Sequence, residues 1–370
     1  MENGSGCQTM KLKHLSLVTF RNYLNLEIDF DPGVNLLIGS NAQGKTNLLE
    51  ACHLLATGRS HRTSRDQEMI QWQEEGYHIK GLVQKNVTSE LLELHVSRQG
   101  KKIVRINGLL QPKLASLLGQ LNVVFFAPEH LELVKGDPSI RRRFLDIAIS
   151  QISHSYLHHL GQYYQILHQK NALLKQEHPD LALLQIYSQQ LAEHGGSMIQ
   201  KRKQILHQLE QNAAIHQTAL NQDEVLRISY LGSLPNEIED VRITENLFQQ
   251  ILEKEKDELF RRTSIVGPHR DDFAVYLNEK SVRQFASQGQ QRSVVLSLKL
   301  AEAQLMENTT GEKPIIILDD VLSELDSDRQ HHLIQALKTM GQTFISSTAL
   351  PPVLSGLQGK VIRIRGGRIH

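Results

Sequence analysis

The sequence predicts an α/β head interrupted by a mainly helical arm. Three observations carry that prediction: a glycine-bounded loop between an apolar strand and a helix at 34–47, an apolar strand ending in two carboxylates at 313–320, and a helical texture from 127 to 221. The first reads Val34-Asn35-Leu36-Leu37-Ile38, then Gly39-Ser40-Asn41-Ala42-Gln43-Gly44-Lys45-Thr46, with Asn47 opening a helix that runs to Ala56. Gly, four residues, Gly, Lys and Thr is the spacing of a phosphate-binding loop. Gly39 and Gly44 let backbone N–H groups curl around an anion with no Cβ in the way. The helix behind adds its unpaired N–H groups and the positive end of its dipole. Lys45 reaches the β- and γ-phosphates as a mobile point charge, and the Thr46 hydroxyl suits Mg²⁺. A chance Gly-rich turn would need neither the strand before nor the helix after. The stretch predicts a nucleoside triphosphate site.

Composition bounds the class. The chain has 370 residues, 40% hydrophobic and 22% charged, with 41 Lys and Arg against 40 Asp and Glu. That is room for two or three domains of an ordinary soluble protein. A near-zero net charge decides nothing about nucleic acid, because a local basic patch can hide in a neutral total. Cys7 and Cys52 are the only cysteines, which excludes a disulfide framework and a cysteine-based zinc site. No apolar run reaches membrane-spanning length and no signal-peptide pattern occurs, so a cytoplasmic location away from membranes is expected. Residues 1–9 precede a second methionine, Met10, and read as a leader outside the fold.

From Met10 the chain alternates. Leu12, His14-Leu15, Leu17 and Phe20, then Leu24, Leu26, Ile28 and Phe30, predict two strands, and Asp31-Pro32-Gly33 turns the chain into the phosphate-loop strand. After the loop helix, Gly58-Arg59-Ser60-His61-Arg62-Thr63-Ser64-Arg65 is a basic, Gly/Ser-broken loop, either a solvated connector or a phosphate-contacting one. Short strands follow at 77–83, 90–96, 102–106 and 123–126, with Asn107-Gly108 as a hairpin turn. The helical part then carries Ile152, Tyr156, Leu160, Tyr163, Leu167 and Leu174 on one face, and Leu184, Tyr187, Leu191, Met198, Ile205 and Leu209 on another after His178-Pro179. Two long antiparallel helices in a stubby arm are expected, with no heptad run long enough for an extended coiled coil. Arg141-Arg142-Arg143 is either a phosphate-binding cluster or a solvated face. His154 and His158 stand four apart with no Glu or Cys beside them, as on a solvated helix. Leu226, Ile228 and Tyr230 return to strand period, and Gly267-Pro268-His269-Arg270-Asp271-Asp272 reads as a turn held by an Arg–Asp pair.

The second half of the site lies near the C-terminus. Lys313-Pro314-Ile315-Ile316-Ile317-Leu318-Asp319-Asp320 has the continuous β-branched texture of a buried parallel strand, and ligands sit at the carboxyl ends of such strands. Asp319 is placed to hold Mg²⁺ through water beside Thr46, and Asp320 to polarise an attacking water. Before it, Ser287-Gln288-Gly289-Gln290-Gln291 opens a helix with Val294, Leu298, Ala301 and Leu305 on one face; Ser287 is a good N-cap. After it comes Leu322-Ser323-Glu324-Leu325-Asp326. Each of these two is weak alone.

The order of these parts resembles the ATP-binding-cassette heads of the SMC and Rad50 group. Phe20-Arg21-Asn22-Tyr23, Gly39 to Thr46, Gly58-Arg59-Ser60, Val134-Lys135-Gly136, Arg141 to Asp146, Gly267 to Asp272 and Leu318 to Asp326 narrow the resemblance, over Met10 to about Ile369, to the RecF family of bacterial recombination-mediator ATPases. The resemblance implies an ABC-type (Rad50/SMC-like) head from 10–126 and 222–370, with the arm at 127–221. It implies ATP held with Mg²⁺ by Gly39 to Asn47, hydrolysed slowly to ADP and phosphate, with Lys45, Asp319 and Asp320 as catalytic residues. Ser287, Gly289 and Gln290 of one subunit would cap the γ-phosphate held by another, making an ATP-dependent homodimer with Asp326 at the interface. It further implies binding to double-stranded DNA and single-strand/double-strand junctions. With RecR and RecO, such proteins help load RecA at gaps. Arg59, Arg62, Arg65, Arg141, Arg142 and Arg143 are the DNA-contact candidates. Three departures from the cassette pattern stand out: Asp320 where Glu is common, Ser347-Thr348 where the switch histidine should follow its strand, and Phe126-Ala127-Pro128-Glu129 where a Gln-loop is expected. The rival reading is the motor subunit of an ABC transporter. The long insertion between Lys45 and Asp319 and the missing histidine argue against it; a P-loop kinase would leave Ser287 to Gln291 unexplained.

Overall fold

Tertiary contacts divide the chain into two units, residues 1–130 with 295–370, and residues 131–294. A computed structural model describes residues 8–370 apart from 86–87, 236–238, 351 and 355–357. Most of the expected leader, residues 1–7, lies outside the described residues. Gln8–Thr9, however, pair in parallel with Glu312–Lys313, so the folded chain starts before Met10.

The first unit contains two six-stranded sheets. One is antiparallel, in the order Tyr23–Asp29, Lys11–Phe20, Gly76–Lys85, Thr88–Ser97, Lys102–Ile106, Leu109–Gln111. Asn107 and Gly108, at φ 51° and 79°, make the hairpin turn their sequence predicts. The other is mostly parallel, in the order Arg368–Ile369, Gly359–Arg365, Val34–Ile38, Thr343–Ser347, Ile315–Asp319, Val123–Phe126. The helix Lys45–Thr57 packs against strands of both sheets. It is therefore buried nearly all round, and its polar stripe Thr46, Glu50, His53 and Thr57 is largely covered too. One core cluster runs from Leu12 and Leu15 through Leu48 and Leu55 to Ile317 and Phe344.

The second unit is built on the helices Pro138–Ile152, His154–Leu174 and Leu181–Leu220. Ser153 and Asp180 cap the latter two, each accepting from backbone N–H groups of the first turn. At 40 residues the last is about 60 Å long. Its expected face is buried at Leu184, Leu191, Met198, Ile205 and Leu209.

The chain does not rejoin the head at 222. Leu226–Leu231 pairs with Asp272–Leu277, which pairs with Lys280–Ser281, and this small sheet shares no edge with the two large ones among the described residues. It packs on Leu181–Leu220 instead, so the arm unit extends to Val294. A buried polar cluster ties this unit together. Arg202, 1% exposed, donates to Asp146, to the Tyr156 hydroxyl and to the Pro268 carbonyl. Asp271 accepts from Tyr230 and Ser233. Burial pushes His269 down to about 4; in the neutral ring Nε2 donates to the Ser264 carbonyl, which leaves Nδ1 to accept from the Tyr163 hydroxyl. The Gly267–Asp272 stretch is thus an internal tie, but not through an Arg–Asp pair of its own: Arg270 donates to the Ser264 carbonyl at 3.1 Å, and Asp272 pairs with Arg141 from outside the stretch.

Candidate nucleotide-binding site

Val34–Ile38, Thr343–Ser347, Ile315–Asp319 and Gly359–Arg365 run parallel, so their carboxyl ends emerge on one edge of the sheet, where open α/β sheets bind ligands. Register aligns Asp319 with Ser346 and Ser346 with Leu37. Two residues on from Leu37 the phosphate loop begins. Gly44 has φ 119°, and a Cβ there would sit 2.7 Å from Asn22 Nδ2; a Cβ on Gly39 would sit 2.3 Å from the Ile364 carbonyl oxygen. Neither position admits a side chain.

Lys45 curls back over this loop, its Nζ donating to the Gly39 carbonyl at 2.6 Å and the Ser40 carbonyl at 2.9 Å. Burial lowers its pKa, and the charges of Asp320 and Asp319 act in the opposite direction. Asp319, 6% exposed, accepts at Oδ1 from Thr46 Oγ1 at 3.1 Å and Ser346 Oγ at 2.6 Å. Burial raises its pKa; the two hydroxyls pull it down, and the charges of Glu129 and Asp320 push it up. Among the described residues no basic side chain lies within ion-pair distance of it. A buried carboxylate whose hydrogen-bond partners are hydroxyls fits a hard divalent cation. Thr46 and Asp319 could hold such a cation, as expected for Mg²⁺.

Asp320 is half-buried in the left-handed region, at φ 53°, and its N–H donates to Ser346 Oγ at 2.9 Å. Ser346 thus holds both carboxylate residues at once. Sequence reasoning assigned Ser346 no role. Glu129 follows a strand paired with Ile315–Asp319, which brings its charge to bear on Asp319.

A second layer braces the loop, and sequence reasoning assigned it no role. The Tyr23 hydroxyl donates to the Gly44 carbonyl at 3.0 Å; Asn22 Nδ2 donates to the Gln43 carbonyl at 3.1 Å, and its Oδ1 accepts from Asn47 at 2.8 Å. Arg21 grips the fully buried Glu50 with two bonds, at 2.9 and 2.8 Å, and Ser60 donates to the same carboxylate at 2.5 Å. The available signal was Glu50 itself, the sole carboxylate in the helix, set between leucine and alanine.

The basic loop follows from this brace. Arg59 and Arg65 are exposed; Arg62 is exposed too, but reaches Asn47 at 3.1 Å and lies 3.8 Å from Glu50. Arg141 is different. It is 4% exposed, bidentate on Asp272 at 2.7 and 2.8 Å, and donates to the Gly136 carbonyl. Arg142 is half-buried and donates to the Asp271 carbonyl at 2.8 Å. The DNA-contact expectation fails for Arg141 and is weakened for Arg142, because helical period turns the first inward; Arg143 remains exposed.

Ser287 to Gln290 belong to the second unit. Ser287 is exposed, and a reciprocal cap forms: Ser287 Oγ accepts from the Gln290 N–H at 3.2 Å while Gln290 Oε1 accepts from the Ser287 N–H at 2.9 Å. Gln290 also donates to Glu224 at 2.9 Å. This fixes the start of the helix Gln288–Thr310, with Gly289 in its first turn. Asp326 caps Ser327–Leu337 and pairs with Arg329.

Known proteins resemble this chain over nearly its whole length. The chain is 47% identical over 352 residues to the DNA replication and repair protein RecF of Latilactobacillus sakei subsp. sakei (strain 23K), covering 93% of this chain and 94% of the relative. It is 44% identical over 367 residues to the protein of the same name in Bacillus cytotoxicus (strain DSM 22905 / CIP 110041 / 391-98 / NVH 391-98), covering 97% and 98%. A solved structure of the recombination mediator RecF with ATP, in the RecFOR pathway, superposes with TM-score 0.93 at 35% identity, covering 100% of this chain and 99% of that one. An Smc head from Pyrococcus furiosus shares the fold at TM-score 0.56 and 15% identity, covering 98% and 95%. Residues 11–355 match the RecF/RecN/SMC N-terminal domain family, and the chain belongs to that family, in its RecF branch.

Proposed function

We propose that this chain is a nucleotide-gated DNA clamp of recombinational gap repair, which hydrolyses ATP and dimerises around it. The observation that carries the reading is the cluster Thr46–Asp319–Ser346–Asp320 beside the phosphate loop. Backbone N–H groups of the loop take the phosphates, and Lys45 exchanges the Gly39 and Ser40 carbonyls for the β- and γ-oxygens. Mg²⁺, held by Thr46 and Asp319, would offset the negative charge between phosphate and carboxylate. Asp320 orients a water and accepts its proton as the water oxygen bonds to the γ-phosphorus. The bridging oxygen leaves with ADP.

Pairing follows from the same charge logic. Ser287 is exposed at a helix start, and a second copy would present that start to the γ-phosphate, which it can grip only while the phosphate is there. Relatives are named DNA replication and repair proteins, and a solved relative is described within the RecFOR pathway. That supports double-stranded DNA and single-strand/double-strand junctions as ligands, RecR and RecO as partners, and RecA loading as the outcome. Sedimentation velocity tests the reading. The wild type should dimerise with ATP and Mg²⁺ and not with ADP, and Lys45→Ala should stay monomeric. A mass indifferent to nucleotide would refute the clamp.

A further inference from the structure

Gly359–Arg365 and Arg368–Ile369 form an antiparallel hairpin closed by Gly366-Gly367, at φ 57° and 72°, the tight turn that matches strand twist. Arg365 lies directly opposite Arg368, and Arg363 shares the exposed face of Arg365 two residues back. All three arginines are exposed. Among the described residues none forms an ion pair, and no Asp or Glu occurs in the sequence after Asp328. The near-zero net charge of the chain conceals this local excess. Like charges placed directly opposite on a hairpin are destabilising. The arrangement calls for an anion.

The hairpin is also part of the phosphate loop's own scaffold. The Gly367 N–H donates to the Gln43 carbonyl at 2.9 Å and the Gly366 N–H to Gln43 Oε1 at 2.7 Å. A Cβ on Gly367 would stand 2.4 Å from the Asn22 carbonyl oxygen. A shift of Gln43 is therefore felt at the turn between Arg365 and Arg368.

We propose that Arg363, Arg365 and Arg368 form a contact surface for the DNA phosphate backbone, mechanically locked to the phosphate loop through Gln43. This rests on the clamp reading above. Arg363 and Arg365 are about 7 Å apart along the strand, and a duplex offers a negative charge every 1.7 Å or so of its axis, enough to neutralise all three together.

The test uses full-length protein with a gapped duplex, titrated by fluorescence anisotropy in ATPγS over a salt series. Arg363→Ala/Arg365→Ala/Arg368→Ala should bind at least tenfold more weakly, and its log affinity should fall less steeply with log salt, by roughly 2–3 in slope. The triple Lys replacement should restore most of both, while ATPγS affinity and nucleotide-dependent sedimentation stay at wild-type values. A wild type that does not bind DNA would bring down the clamp reading itself. If the wild type binds and the Ala variant matches it in affinity and slope, the clamp survives and this surface is wrong, leaving an acidic protein as its partner. A loss of ATPγS affinity in the Ala variant would reassign the arginines to the nucleotide and overturn the proposal.

Discussion

Replacing Ser346 by Ala removes one hydroxyl and almost no volume, so its effect isolates the link between the two carboxylate residues. Ser346 is 1% exposed, and its hydroxyl donates to Asp319 at 2.6 Å and accepts from the Asp320 N–H at 2.9 Å. A hydrogen bond to a charged group contributes about 1.5–3 kcal/mol, whereas the half-buried Asp320 N–H can recover a water partner. A loss of about 2 kcal/mol, if expressed in the transition state, slows hydrolysis roughly 30-fold. ATP affinity should change little, because Ser346 makes no contact with the loop's N–H groups. A second readout separates catalysis from scaffolding. Ser346 and Thr46 are the two hydroxyls that lower the pKa of Asp319 against burial. Without Ser346 the pKa of Asp319 in the metal-free site rises further, a proton competes with Mg²⁺ to higher pH, and at limiting Mg²⁺ the acid limb of the pH–rate profile moves to higher pH. The assay is single-turnover phosphate release at saturating ATP from acid to neutral pH, with ATP affinity from calorimetry. Unchanged turnover and an unmoved acid limb would refute the reasoning. So would equal losses in affinity and turnover, which would mark Ser346 as scaffold alone.

Two further changes probe the brace and the discarded DNA candidate. Tyr23→Phe deletes the bond to the Gly44 carbonyl, which keeps its bond from the Leu48 N–H at 3.0 Å, so the cost is about 1 kcal/mol. ATP affinity measured by calorimetry should drop about fivefold; a lower melting temperature at unchanged affinity would make the brace merely structural. Arg141→Ala strands the Asp272 carboxylate, whose side chain is 18% exposed, and should cost about 3 kcal/mol, the low end for a broken buried pair. Differential scanning fluorimetry should show a melting temperature several degrees lower while the folded protein keeps its DNA affinity. Weaker DNA binding at an unchanged melting temperature would return Arg141 to the DNA surface.

The sequence by itself determined the chemistry that depends on local backbone geometry. The loop Gly39 to Thr46 needs its glycines, lysine and threonine at fixed spacing within one strand–turn–helix, and the strand Ile315–Asp319 declares burial by its continuous apolar run. Tertiary structure decided everything that joins distant residues. Ser346 matters because parallel register sets it beside Asp319, and nothing near Ser346 in the chain says so. Glu50 gained a partner only when Arg21 and Ser60 were folded against it, and Arg141 was withdrawn from the surface by Asp272, far along the chain. The arm's true extent was hidden for the same reason. A period of two announces a strand at Leu226 but not which sheet receives it, because strand pairing depends on which other edge lies close enough to share its hydrogen bonds.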